Sequence, residues 1–208
     1  MRRLIAVLCL LAAQAAFAQT LQVELFGAIA AGDEAEVARL VKVGVHYAAK
    51  TDAGETPLLV AAEHGRIGIV KLLLENGADV AARTANGETA LHMAGLHPEP
   101  DIARLLLERG AAVEVVNRDG ETPLYWAALS GSADVVKALV EKGARIDRAD
   151  AKGNTPLHAA ASESSLDVVS YLLARKANRN LRNKAGETPA ALAKSRGHDE
   201  AAQLLGSK

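Results

Sequence analysis

Gly54-Glu-Thr-Pro-Leu58 returns as Gly87-Glu-Thr-Ala-Leu91, Gly120-Glu-Thr-Pro-Leu124, Gly153-Asn-Thr-Pro-Leu157 and Gly186-Glu-Thr-Pro-Ala190, each phrase 33 residues after the last. An uninterrupted period of this length defines a stacked array, in which each unit touches only its neighbours. Such arrays make surfaces that grasp partners rather than pockets that enclose chemistry.

The unit from Gly54 to Asn86 shows what each repeat must look like. Thr56-Pro57 reads as a helix start, because Thr can cap free backbone N–H groups and Pro tolerates the first helical position. A first helix then runs to about His64, and Gly65 allows a tight turn. A second helix buries Ile69, Val70, Leu73 and Leu74 on one stripe. Gly77 is placed to end it in the left-handed conformation, as are Gly44, Gly110 and Gly143. Small pairs recur in the first helices (Ala61-Ala62, Ala94-Gly95, Ala127-Ala128, Ala160-Ala161) and let helices approach closely. Asp101, Asp134 and Asp167 fall in the first turn of second helices, where negative charge suits the helix dipole.

Thr155-Pro-Leu-His158-Ala-Ala is the copy through which the chain most resembles the ankyrin repeat, and the resemblance covers Leu21 to Lys208. It implies an all-α solenoid of helix-turn-helix units with short β-hairpin-like fingers. The repeats fall at 21–53, 54–86, 87–119, 120–152, 153–185 and 186–208, within a domain spanning 19–208. The first is degenerate, with Val23-Glu24 where Thr-Pro belongs, and the last is truncated. In the last, Lys194 replaces a small buried residue and Ala201-Ala202 a bulkier pair, as expected where one face meets water. Two internal departures predict local change. His97-Pro-Glu-Pro100 should stiffen its turn, Pro98 stopping one helix and Pro100 starting the next. Lys176 stands at a helix-ending glycine site, which predicts an altered turn or a weaker fifth repeat.

Residues 1–18 follow another logic. Arg2 and Arg3 precede the apolar run Leu4–Ala13, and Ala16-Phe17-Ala18 offers small residues where a signal peptidase reads, so cleavage is expected after Ala18. The run is too short to span a bilayer, which needs about 20 residues. The signal is short and simple, which suggests a bacterial periplasm. Cys9 is the single cysteine and leaves with it, so no disulfide can form. Loss of Arg2 and Arg3 takes the formal charge from −1 down by two, to −3. Neither value suggests a nucleic-acid partner. No other segment is long and apolar enough to cross a membrane.

Chemistry finds little support. His92 and His158 sit where the family's histidine is implied to brace the finger through backbone and motif Thr bonds. His64 and His97 occupy equivalent helix ends in adjacent repeats and should face the same side, but zinc needs three or four ligands. Glu55, Glu88, Glu121 and Glu187 repeat at one position, expected as a ladder along a solvated rim rather than a converging catalytic pair. A metal-dependent hydrolase is therefore the minority reading, and no cofactor is expected.

The resemblance implies recognition by finger tips and by the exposed ends of first helices. Position by position this selects Asp52, Ala53, Glu55, Glu63 and His64, then Ala85, Asn86, Glu88, Leu96 and His97. The fourth repeat adds Arg118, Asp119, Glu121, Leu129 and Ser130, and the fifth Ala151, Lys152, Asn154, Ser162 and Glu163. Tyr125 and Trp126, two of six aromatic residues, join Leu129 and Leu96 as candidate centre of an interface. Packing between repeats is the rival reading for Trp126. The expectation is a monomeric, non-catalytic module in the periplasm that binds another protein, guarding against or assisting an envelope enzyme. The alternative is a structural protein gripping wall material or a small ligand.

Overall fold

The structure, a computed structural model, describes residues 18–45, 49–51 and 53–206. Most of the expected signal sequence, up to residue 17, together with His46 and Asp52, lies outside the described residues. The described regular elements are helices: α1 at 18–31, α2 Glu34–Lys42, α3 Pro57–Glu63, α4 Ile67–Glu75, α5 Ala90–Ala94 and α6 Asp101–Glu108. They continue as α7 Pro123–Ser130, α8 Ala133–Glu141, α9 Pro156–Ser162, α10 Leu166–Ala174, α11 Pro189–Ser195 and α12 Asp199–Gly206. No strand occurs among the described residues. None of the helices there is long and apolar enough to cross a membrane.

First helices pack on first helices in the order α3, α5, α7, α9, α11, and second helices on second in the order α2, α4, α6, α8, α10, α12. The two layers meet within each repeat and enclose one continuous core. Ile69, Val70 and Leu73 are buried from α4, while Leu74 is partly covered. Burying a leucine such as Leu73 contributes roughly 1.5–3 kcal/mol. The small pairs are all buried, and Gly95 shows why size matters there. A Cβ at Gly95 would sit 3.1 Å from Ala127 N, a backbone atom of the next first helix. Asp101, Asp134 and Asp167 do occupy first turns of second helices.

Two local expectations change, and the first helix starts early for its repeat. Helix α1 begins by residue 18, well before the Val23-Glu24 position, because no Pro stands there to mark a start. Helix α5 ends at Ala94, ahead of Pro98, and α6 begins at Asp101, so Pro100 precedes the second helix instead of opening it. The turn at Lys176 is not altered. Lys176 takes φ +65° in place of the +87° of Gly77, and Ala177 N–H still reaches Leu172 O at 2.9 Å, as Ala78 reaches Leu73 at 3.0 Å. The fold therefore overrides a side-chain preference of about 1–2 kcal/mol. Ser164 is likewise left-handed, with φ 56°, where Gly65 and Gly131 make the same turn. At the far end Lys194 is exposed beside fully buried Ala193, as a terminal face requires.

Candidate protein-binding surface

The fingers are braced turns. In each, the side chain three residues before the glycine accepts the N–H of the residue after it. Thr51 Oγ1 accepts from Glu55 at 3.1 Å, Thr84 Oγ1 from Glu88 at 3.2 Å, and Asn117 Oδ1 from Glu121 at 2.9 Å. Asp150 Oδ1 accepts from Asn154 at 2.7 Å and Asn183 Oδ1 from Glu187 at 2.9 Å. The glutamates then fold back on the same partners: Glu55 on Thr51, Glu88 on Thr84, Glu121 on Asn117 and Glu187 on Asn183. The Glu ladder is thus part of the scaffold and not a solvated rim, with Glu88 only 9% exposed. The fifth repeat inverts the pair: Asp150 supplies the carboxylate and Asn154 Nδ2 the donor, at 3.3 Å.

Neighbouring fingers are joined through backbone. Ala85 N–H donates to Ala53 O at 3.2 Å, Arg118 to Asn86 at 2.8 Å, Ala151 to Asp119 at 2.7 Å and Lys184 to Lys152 at 2.9 Å. The close approach explains the phrase-opening glycine at Gly120. Its φ is +76°, and a Cβ there would lie 2.9 Å from Ala151 N.

Two histidines staple repeats together. Thr89 N–H donates to His92 Nδ1 at 3.1 Å, which leaves the ring proton on Nε2 to donate to Glu121 O, also at 3.1 Å. His158 repeats this between Thr155 and Glu187 O. Burial pushes the His92 imidazole down to about 4 and the His158 imidazole in the same direction, so both stay neutral near pH 7. The Thr hydroxyl caps its helix at Thr122 and Thr188, by accepting from Tyr125 and Ala191 N–H. It does not at Thr56, whose buried Oγ1 has no partner among the described residues.

Of the residues selected for binding, Glu63, His64, Asn86, Leu96, Arg118, Asp119, Leu129 and Lys152 are exposed. Glu55, His97, Glu121, Trp126 and Asn154 are half-buried, and Glu88 and Tyr125 are buried. His97 and His64 do not act as a pair. His97 Nε2 donates to Glu63 O at 2.6 Å, while His64 Nδ1 lies 3.0 Å from Val60 O of its own helix. No group of three His, Cys, Asp or Glu side chains converges on a metal position among the described residues. Trp126 has a packing role: its indole donates to Glu121 Oε2 at 2.8 Å and its ring meets the His92 ring edge-on at 5.5 Å. Leu96 and Leu129 remain 44% and 36% exposed at equivalent places on adjacent repeats. Sequence reasoning missed the residues at 51, 84, 117, 150 and 183, although their 33-residue spacing was there to read.

A family model for ankyrin repeats in three copies matches residues 81–150, 109–184 and 147–208. A second, for ankyrin repeats in many copies, matches residues 25–74 and 58–99. The chain belongs to the ankyrin-repeat family. No curated protein matches it. Its repeats are those of a protein–protein interaction module.

Proposed function

We propose that this protein is a non-catalytic binding module exported to the bacterial periplasm, where as a monomer it holds an envelope enzyme that it guards against or assists. The export reading rests on Arg2, Arg3, the apolar run and Ala16-Phe17-Ala18. The binding reading is carried by one observation: two large apolar side chains, Leu96 and Leu129, stand exposed at equivalent positions of adjacent repeats, on a scaffold whose neighbouring fingers are tied by backbone bonds. A rigid support lowers the ordering cost of binding, and desolvated apolar anchors supply its energy. Exposed Glu63, Asn86, Arg118, Asp119 and Lys152 would then form the polar rim that selects a partner.

The test is capture from periplasmic extract with the purified chain as bait. Wild type should retain one protein in stoichiometric amount, and Leu96→Asp with Leu129→Asp should lose it at least about tenfold without loss of helicity. Equal capture by the folded double variant would refute this surface. Recovery of the uncleaved chain in the cytoplasmic fraction would refute the compartment.

A further inference from the structure

We infer that the junction between the fourth and fifth repeats is a subsite for a lysine or arginine side chain of the partner, an inference that rests on the binding reading above. The other junctions are stapled by a side chain that reaches back and donates to a carbonyl closing the preceding first helix. Arg66 Nη2 donates to Ala30 O at 2.9 Å, His97 Nε2 to Glu63 O at 2.6 Å, and Ser130 Oγ to Gly95 O at 2.6 Å. At the last junction His198 Nε2 donates to Ser162 O at 3.1 Å. Between the fourth and fifth repeats the position of His97 and Ser130 is held by Glu163, which cannot donate when ionised. Among the described residues no side chain donates to Leu129 O.

The histidine bridge is missing from the same junction. Tyr125 stands where His92 and His158 bond to the next finger. Phe26 and Leu59 occupy that place in other repeats and leave nothing polar behind. Tyr125 does leave something: it is 9% exposed, and its hydroxyl makes no hydrogen bond among the described residues. The charges acting on that hydroxyl are the carboxylates of Asp150, Glu121 and Glu163, opposed by Arg196. Burial first, then those carboxylates, push it up to about 12, so it stays protonated.

What this junction offers is therefore mostly acceptor. Glu163 Oε1 accepts from Arg196 Nη1 at 3.1 Å and from Ser162 Oγ at 3.3 Å, and Oε2 has no partner among the described residues. The Leu129 carbonyl and the Tyr125 hydroxyl likewise have no side-chain hydrogen-bond partner among the described residues. The complement is a side chain rich in donors and positively charged, as guanidinium and ammonium are. Arg196 already shows that a guanidinium fits against Glu163. Leu129, exposed alongside, sets an apolar residue next to that cation in the partner.

A phage-displayed library of random peptides, selected on the full chain, tests this without the partner in hand. Enriched peptides should carry Lys or Arg beside Leu, Ile or Val. Glu163→Gln should weaken them about tenfold, the loss of one charge-assisted hydrogen bond. Tyr125→Phe should weaken them less, and thermal melting confirms that both variants fold. Apolar enrichment without basic residues, or affinities unmoved by Glu163→Gln, overturns the subsite while leaving the Leu96–Leu129 surface in place. No enrichment of any kind overturns both.

Discussion

The junction between the third and fourth repeats and the one between the fourth and fifth share a backbone plan but differ in how they are fastened. In the first, His92 bonds across to Glu121 O, Ser130 reaches Gly95 O, and Trp126 closes the seam against His92 and Glu121. In the second, Tyr125 and Glu163 stand in those two places, and the bonds they replace are absent. The stability of a solenoid is a sum of such nearest-neighbour terms, so one seam can be left open without endangering the rest. An open seam keeps its polar groups free for another molecule.

The sharpest way to break the comparison is to unfasten the closed seam. His92→Ala removes two hydrogen-bond partners and leaves a cavity beneath Trp126, and it should cost about 3 kcal/mol in urea unfolding. A loss comparable to that of an exposed surface substitution would show that the bridge carries little. Acid should act on the same seam. The folded state keeps His92 neutral down to about 4, against an ordinary value of 6.5. The stabilisation is therefore complete above about pH 6.5 and is lost as pH falls toward 4, on the order of 2–3 kcal/mol. His92→Leu should flatten that slope, and a wild type equally stable at pH 7 and pH 4 would contradict the bridge. The smallest effect comes from closing the open seam. Tyr125→His supplies the missing donor to the next finger and should add about 1 kcal/mol. No gain would mean that the seam is held by contacts other than this bridge.

Much of the architecture could be read from Gly54 and its copies, because a strict period fixes where turns and helices fall. The small pairs and the helix-ending glycines added the packing rule. What the pattern concealed was the work of side chains between repeats. Arg66, His97, Ser130 and His198 do one job with three residue types from two register positions, so no shared letter announces it. Glu88 misled in the opposite way: a recurring charge looks solvated until its hydroxyl partner at Thr84 is seen. Lys176 showed that a stack can impose a backbone its residue disfavours. At the surface, Leu96 and Leu129 were recognisable as candidates from their equivalent positions. Tyr125 and Trp126 were grouped with them, but both turn inward.

The exchanged acid and amide at Asp150 and Asn154 carry a warning for anyone averaging these repeats into an idealised one. Four of five phrases favour glutamate after the glycine, so a majority vote would write Asn154→Glu. That single edit would set two anions against each other across one tight bend, and restoring neutrality needs the compensating Asp150→Asn. Within this chain the two positions change together, and a designer who edits one must edit both.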